Sequence, residues 1–284
     1  MSKVAIITDS TAYIPKEYCE QSKITVLPLI LIWGDQTFED GVSIQPEEFY
    51  SRLGKSKILP TTSQVSIYNM QTTFSELIDQ GYDVLGIFIS SKLSGTIQSA
   101  IQAREALAHG KEKIQIIDSH STAMAMGFQV LSAARAAMDG ASLIDCSNLA
   151  EKARTNTGVY FVVDTLEFLH RGGRIGGAQR LLGTALNLKP ILSIQDGKVE
   201  AMERVRTKTK ALDRLIEIIA DKTAGKSSVR LACLQANAPI EGRVILDRAT
   251  QLINPIESIF TSVSPVVGAH TGPGTIGLAY MAED

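Results

Sequence analysis

The chain has 284 residues, of which 44% are hydrophobic and 20% are charged, and its 28 basic and 30 acidic residues leave a formal net charge of −2. This composition excludes intrinsic disorder, because a chain of this length and apolar content can bury a large core. The balanced charge argues against nucleic-acid or membrane binders that depend on broad positive charge. The length predicts one large domain or two domains of ordinary size.

Cysteine usage and apolar run lengths bear on the compartment. Cys19, Cys146 and Cys233 are far apart and match no metal-ligand spacing. An odd number of scattered thiols is typical of a reducing environment. The N-terminal apolar run is too short for a signal peptide, and the longest apolar stretch, residues 24–33, is too short for a membrane helix. We therefore expect a cytoplasmic protein with no integral membrane segment.

Strands and helices alternate along the first half of the chain. Short apolar runs that end in turn residues predict buried strands at residues 4–8, 84–90 and 113–117, and a further strand, weakened by Pro28, at 26–33. Amphipathic patterns predict helices at residues 66–80, 95–108 and 122–139. This alternation predicts an α/β fold in which helices flank a parallel sheet.

The second half of the chain lacks this alternation. Asp196-Gly197 is a strong hairpin signal between two apolar runs. Strands are predicted at residues 159–163, 190–194, 198–205, 229–234, 256–263 and 275–281, and helices at 165–170, 178–186, 208–222 and 241–252. This order predicts an α+β second domain. We place the boundary within residues 140–156, which divides the chain into an N-terminal α/β domain (1–155) and a C-terminal α+β domain (156–284).

Hydroxyl side chains cluster where predicted strands lead into helices. Residues 61–64 (Thr-Thr-Ser-Gln) precede one helix, and residues 90–96 (Ser-Ser-Lys-Leu-Ser-Gly-Thr) connect a strand to another. In open parallel sheets, ligands bind beyond the carboxyl ends of the strands, where helix N-termini favour anions. Each hydroxyl taken alone is more simply interpreted as a helix N-cap. Asp9 and Asp118 also end strands, where hydrogen bonding to loop amides is the favoured interpretation.

Two glycine-rich segments stand out in the second half. Residues 171–177 (Arg-Gly-Gly-Arg-Ile-Gly-Gly) can approach an anion closely, although the alternative is a helix connection with solvated arginines. Residues 272–277 match Gly-x-Gly-x-x-Gly, but too little chain follows for the helix and second strand of a dinucleotide-binding unit. We interpret this segment as a turn that presents His270 before a final strand. The spacing of the histidines does not support a metal site.

Together these segments resemble the DegV family. Val65 replaces the proline that usually follows Thr-Ser-Gln in the family, and Lys92 replaces the first glycine of Ser-Ser-Gly-Leu-Ser-Gly; neither removes a hydroxyl from these motifs. The matching segments keep the family order and cover nearly the whole chain: residues 7–10 (Ile-Thr-Asp-Ser), 61–64, 90–91, 93–96, 166–169 (Leu-Glu-Phe-Leu), 172–175, 189–192 (Lys-Pro-Ile-Leu) and 270–274 (His-Thr-Gly-Pro-Gly).

The resemblance implies a lipid-binding protein that is not an enzyme by itself. It implies one long-chain fatty acid, such as palmitate or oleate, in a tunnel between the two domains, and no cofactor. By position in the family motifs, Thr62 and Ser94 bind the carboxylate and His270 lies near it.

The resemblance also implies a partner. Some family members are the acyl-binding subunit of a bacterial fatty acid kinase, which makes an acyl phosphate for phospholipid synthesis. Gly172, Gly173 and Arg174 are then candidates for contact with the kinase or its phosphate.

Two other functions remain open at the level of the sequence. A serine hydrolase would use Ser94 with His270, although no acidic third member is identifiable and the serine is not in a recognisable elbow. A phosphate-ligand binder would use Arg171 and Arg174 as an anion clamp.

Overall fold

The computed structural model describes residues 3–183 and 188–284. Its strands are β1 (Val4–Asp9), β2 (Ile24–Leu27), β3 (Ile30–Trp33), β4 (Gln36–Glu39), β5 (Thr61–Ser63), β6 (Asp83–Phe88), β7 (Ile114–Asp118), β8 (Thr157–Val162), β9 (Lys189–Gln195), β10 (Lys198–Val205), β11 (Ser228–Gln235), β12 (Glu257–Ser262) and β13 (Ile276–Glu283). Its α-helices are α1 (Lys16–Gln21), α2 (Pro46–Leu53), α3 (Ile67–Asp79), α4 (Thr96–Glu105), α5 (Ala123–Met138), α6 (Leu143–Asn156), α7 (Glu167–Arg171), α8 (Lys208–Thr223), α9 (Pro239–Ile253) and α10 (Pro265–Thr271).

The first half forms the predicted parallel sheet. Its four strands lie in the order β2-β1-β6-β7, and every neighbouring pair is parallel. The central strands β1 and β6 are almost entirely buried because helices pack on the sheet. Helices α3 and α4 contact each other, as do α5 and α6, and both pairs contact the sheet. The predicted α/β architecture is therefore confirmed.

The single strand predicted at residues 26–33 is wrong. Pro28 has no N–H to donate to a strand ladder, and the chain breaks there into β2 and β3. Strand β2 pairs with β1 in the parallel sheet. Strand β3 instead forms a separate antiparallel sheet of order β4-β3-β5. This small sheet matters for the site, because β5 contains Thr62.

The second half forms a six-stranded mixed sheet. Its strand order is β10-β9-β8-β13-β11-β12, in which only β11 and β12 are parallel neighbours. Helices α8 and α9 pack on it, as expected for an α+β arrangement. The predicted hairpin joins β9 to β10, and both turn residues have positive φ, +46° for Asp196 and +80° for Gly197. The helix predicted at residues 178–186 overlaps a short 3-10 helix at Gly176–Leu181, and residues 184–187 lie outside the described residues.

The segment between the two sheets is largely helical. The structure places α6 across most of residues 140–156, where the sequence pattern predicted a domain boundary, and this helix packs against α5. Helix α6 ends at Asn156, and β8 begins at the next residue. The division of the chain at residue 155 stays a prediction. Among the described residues, no helix has the length and apolar character needed to cross a bilayer.

Helix α5 is buried and lies between the two large sheets. It contacts β1 and β6 of the parallel sheet and β8, β11 and β13 of the mixed sheet. Eleven of its 16 residues are buried, which fits a helix that is apolar on all sides. A Cβ on Gly127 would lie 2.6 Å from the backbone oxygen of Ala12, so glycine allows this close approach. One hydrophobic core cluster therefore contains residues of both halves, and a second core cluster packs α8 and α9 on the mixed sheet.

A loop of the first half also docks on the β9–β10 hairpin. The Ser90 hydroxyl donates to the backbone oxygen of Gly197 (2.9 Å), and Lys92 Nζ donates to the backbone oxygen of Asp196 (2.8 Å). Lys92, which departs from the family motif, thus has a structural partner on the opposite half. These contacts hold the segment that carries Ser94.

Candidate functional site

A narrow cavity lies between the two halves of the chain. Measured by the centre of a water-sized sphere, its volume is about 110 Å³. The wall is mainly apolar, as in most small-molecule sites, and side chains from both halves line it, among them Leu29, Ile89, Val159, Phe161, Ile194 and Val266. Polar side chains also line it, among them those of Thr62, Ser94, Arg174 and His270, which we call the polar cluster.

Thr62 and His270 are hydrogen-bonded to each other. Thr62 lies in β5 opposite Leu31 of β3, which fixes the position of its side chain. His270 lies in the last turn of α10, and its Nε2 is 2.8 Å from Thr62 Oγ1. The expectation that a turn presents His270 is wrong. Pro265 is well suited to the first position of a helix, and the chain remains helical until Gly272, whose φ is +77°.

Ser94 lies just before α4 and has two roles. Its Oγ is 3.0 Å from Thr96 Oγ1 and accepts a hydrogen bond from the backbone N–H of Thr96 (3.3 Å), the first residue of the helix, whose N-cap is Gly95. The same side chain lines the cavity. The Gln64 side chain lies against Gly95, where an added Cβ would be 3.2 Å from Gln64 Cδ. The two hydroxyl-rich segments therefore meet at the cavity.

The glycine-rich loop also reaches the cavity. Arg174 Nε donates to the backbone oxygen of Leu93 (3.1 Å), and a terminal nitrogen of Arg174 donates to that of Gly172 (2.8 Å). Gly172 lies directly against the His270 ring, because an added Cβ would overlap Nδ1. Gly173 is exposed and has a φ of +70°. The family resemblance implied that Gly172, Gly173 and Arg174 contact a partner, and this contact stays a prediction. The sequence did not predict that Arg174 lines the cavity.

The electrostatics of this cluster favour an anion beside a neutral imidazole. Burial, assisted by the Arg174 guanidinium, lowers the pKa of His270 to about 4. His270 is therefore uncharged at neutral pH, and Arg174 supplies positive charge at the cavity wall. Nδ1 of His270 is buried and has no hydrogen-bond partner within the described ranges.

The geometry does not form a hydrolase triad. Ser94 Oγ contacts Thr96, whereas His270 Nε2 contacts Thr62. With Nδ1 also unpartnered, neither the serine–histidine pair nor the histidine–acid pair of a triad occurs in the part of the chain that the structure describes.

The proposed arginine clamp is not assembled either. Arg171 is exposed and forms a 2.6 Å ion pair with Glu167, and it does not line the cavity that Arg174 lines.

The two strand-terminal aspartates accept hydrogen bonds from loops. Asp9 accepts from the backbone N–H groups of Thr11 and Ile89, and Asp118 accepts from that of His120. These contacts match the structural interpretation from the sequence. In the described residues, no group of three or more His, Cys, Asp or Glu side chains is arranged to hold a metal ion.

Several cavity residues were not predicted from the sequence. Arg174 belongs to a recognisable glycine-rich motif, but only the tertiary structure shows that it lines the cavity. The apolar wall gave no signal, because core residues and cavity residues share the same composition. Tyr13 and Thr122 line the cavity from two further segments that the sequence did not connect with ligand binding.

Comparisons with known proteins agree with this architecture. A family model described as "Uncharacterised protein, DegV family" matches residues 3–283. A DegV domain-containing protein of Streptomyces coelicolor is 39% identical over 283 residues, which is 99% of each chain.

Solved structures give the same result. A DegV family protein from Thermus thermophilus, described by its fatty acid binding, superposes with a TM-score of 0.92 at 31% identity over 99% of each chain. DegV from Bacillus subtilis, described as a fatty acid binding protein, superposes with a TM-score of 0.91 at 32% identity over the full length of both chains. The family model and the curated relative, each of which spans nearly the whole chain, show that this chain belongs to the DegV family.

Proposed function

We propose that this protein binds one long-chain fatty acid, such as palmitate or oleate, with the acyl chain in the cavity and the carboxylate at Thr62, Ser94 and His270. The observation that carries the proposal is a mainly apolar cavity whose wall includes the Thr62 and Ser94 hydroxyls, a neutral His270 bonded to Thr62, and Arg174. The related structures described as fatty acid binding support it. The protein works in the cytoplasm, needs no cofactor and is not an enzyme by itself.

The acyl chain supplies most of the affinity. Burial of about 15 CH₂ groups at ~0.8 kcal/mol each gains on the order of 12 kcal/mol. Association and chain ordering offset several kcal/mol of this gain. A hydrogen bond to a charged head group contributes about 1.5–3 kcal/mol. The polar cluster therefore sets the orientation of the lipid, while the apolar wall sets the strength of binding.

A neutral His270 can direct the Thr62 hydroxyl. When Nε2 carries the ring proton, it donates to Thr62 Oγ1. The hydroxyl hydrogen of Thr62 is then free to donate to a carboxylate. Arg174 adds a long-range attraction, while two of its donors remain engaged with backbone oxygens. The carboxylate is thus held by directional hydrogen bonds rather than by a buried ion pair.

A carboxylate that is bound by hydrogen bonds from neutral groups is suited to presentation to a kinase. In the proposed reaction, a carboxylate oxygen attacks the γ-phosphate of ATP on a partner subunit, which forms an acyl phosphate and releases ADP. A carboxylate held by neutral donors loses less on phosphorylation than one held in a tight salt bridge. The segment from Gly172 to Arg174 joins the polar cluster to the surface at Gly173, and it is the proposed contact with the kinase or its phosphate. The acyl phosphate feeds phospholipid synthesis.

Mass spectrometry of an organic extract tests lipid binding. We expect the purified protein to release a long-chain fatty acid, or to take up palmitate or oleate after its lipid has been removed. If the extract contains no acyl chain and the stripped protein takes up neither fatty acid, the proposal is wrong.

A double variant tests presentation to the kinase. Thr62→Ala with Ser94→Ala should reduce acyl phosphate formation by a partner fatty acid kinase more than it reduces lipid uptake. Thr61→Ala with Ser91→Ala is the matched control, because these hydroxyl residues lie in the same two segments, are exposed and do not line the cavity. Unchanged acyl phosphate formation by the first variant would exclude the assigned roles.

A further inference from the structure

Asp40 is a buried carboxyl group outside the polar cluster. It follows β4, and its backbone N–H donates to the backbone oxygen of Leu29 (2.9 Å). The residue is only 2% exposed, and no ion pair compensates its charge within the described ranges. A buried carboxyl without a cation costs stability unless hydrogen bonds offset the loss of hydration.

Both oxygens of Asp40 accept hydrogen bonds from segments that line the cavity. Oδ1 accepts from the backbone N–H of Val266 in α10 (3.1 Å), and Oδ2 accepts from the Ser10 hydroxyl (2.7 Å). Ser10 Oγ in turn accepts from the backbone N–H of Leu29 (3.1 Å). Val266 and Leu29 are both cavity residues. One carboxyl group thus connects three separate segments of the chain around the cavity.

Asp40 replaces the local cap that α10 lacks. Ser264 occupies the N-cap position of this helix but makes no side-chain capping bond, and Pro265 has no N–H. Val266 therefore carries the first free N–H of the helix, and Asp40 accepts it from a distant part of the sequence. Four residues later, the same helix carries His270 against Thr62.

We propose that Asp40 is a positioning residue whose carboxyl group holds the first turn of α10 and so fixes His270 against Thr62. The inference rests on the proposed function only in assigning His270 to the head-group site; the contacts themselves do not depend on a ligand. The Tyr50 hydroxyl, which donates to the backbone oxygen of Val263 just before the helix, supports the same placement.

The titratable groups that face Asp40 are an acid and two phenols. Burial, with a smaller contribution from the nearby Asp9, raises the pKa of Asp40 to about 6, against the opposing effect of Ser10, Val266 and Ser264. Tyr13 and Tyr50 also interact with its charge. Arg174 is the charged group that acts on His270. Ionisation of Asp40 above pH 6 strengthens its acceptance of the Val266 N–H.

The test follows the His270 ring by NMR in the lipid-free full-length protein. The chain has four histidines, so comparison with a His270→Gln spectrum assigns the signal. In the wild type, we expect His270 to titrate near pH 4. In Asp40→Ala, the first turn of α10 loosens, the ring gains contact with water, and its pKa should rise toward the ordinary value of about 6.5. Asp40→Asn keeps an oxygen acceptor for Val266 and should stay close to the wild type.

Two controls separate positioning from general loss of stability. Leu212→Ala, at a buried residue of α8 in the second core cluster, lowers stability without touching α10 and should leave the His270 titration unchanged. If Asp40→Ala does not fold, Ser10→Ala, which removes the hydroxyl that fixes the carboxyl group, should shift the titration in the same direction by a smaller amount. An unchanged titration in the folded Asp40 or Ser10 variant would overturn the proposal.

The same samples separate this inference from the proposed function. Palmitate uptake by the wild type tests the function, while the His270 titration needs no lipid. A shifted titration in a protein that takes up no fatty acid would retain the positioning role and reject the function. An unchanged His270 titration in a folded Asp40 variant that binds palmitate would retain the function and reject the positioning role.

Discussion

Thr62 and His270 are 208 residues apart in the chain, yet Thr62 Oγ1 and His270 Nε2 lie 2.8 Å apart at the cavity wall. The contact joins the small antiparallel sheet of the first half to the helix that precedes the last strand of the second half. It therefore closes the cavity across the two halves at the place where we propose that the carboxylate binds.

Removal of the Thr62 hydroxyl should weaken fatty acid binding moderately. Thr62→Val keeps the shape of the side chain but leaves His270 Nε2 without its partner. Loss of about 1.4 kcal/mol from the head-group contacts corresponds to about tenfold weaker binding. Titration with a fluorescent fatty acid measures the change, and Thr61→Val, at an exposed neighbour, is the control. Equal affinities for the two variants would contradict the assignment of Thr62.

Gly172→Ala should displace His270. An added Cβ at Gly172 would overlap His270 Nδ1, so either the ring or the glycine-rich loop must move. We expect a loss of fatty acid affinity at least as large as that of Thr62→Val, measured by the same titration. Gly54→Ala is the control, because the nearest atom to its added Cβ is 3.7 Å away. Normal binding by Gly172→Ala would show that the contact with His270 is unimportant.

The pH dependence of stability should report the buried histidine. The folded pKa of His270, about 4, is below the unfolded value of about 6.5, so only the unfolded chain binds this proton between those pH values. The contribution of His270 to the free energy of unfolding therefore rises as pH increases from 4 to 6.5, by up to roughly 3 kcal/mol. His270→Gln should lack this rise.

The wild type minus His270→Gln difference is the quantity to measure, because Asp40 acts in the opposite direction. The folded pKa of Asp40 is raised to about 6, so its contribution to stability falls as pH increases from 3.8 to 6. Urea denaturation at several pH values gives the difference, with His170→Gln, an exposed histidine in α7, as the control. A difference that stays constant between pH 4 and 6.5 would count against a buried neutral His270.

A larger side chain in the apolar wall should limit the acyl chain without altering the polar cluster. Val159 is 2% exposed and lines the cavity. Val159→Phe should lower the uptake of palmitate more than that of a shorter fatty acid such as decanoate, at a cost in stability of about 1–3 kcal/mol. Ile245→Phe, an overpacking substitution at a buried residue of α9 in the second core cluster, controls for the loss of stability. Equal losses for both chain lengths would argue against this part of the wall as acyl-chain contact.

The sequence by itself determined the secondary structure that depends on neighbouring residues. Apolar runs that end in turn residues predicted β1, β6 and β7, and Asp196-Gly197 predicted the β9–β10 hairpin, since a tight turn of this kind is set by two adjacent residues. The resemblance of short motifs to a known family supplied Thr62, Ser94 and His270. Alternation along the first half was sufficient for a parallel sheet, because crossover connections have few alternatives.

Only the tertiary structure decided which of these segments meet. The approach of Gly172 to His270, the place of Arg174 in the cavity wall and the capping of α10 by Asp40 each join residues that are distant in sequence. Hydrogen bonds and burial act through space, and local patterns contain no information about a partner hundreds of residues away. For the same reason, the sequence could not distinguish an apolar side chain that fills the core from one that lines a cavity.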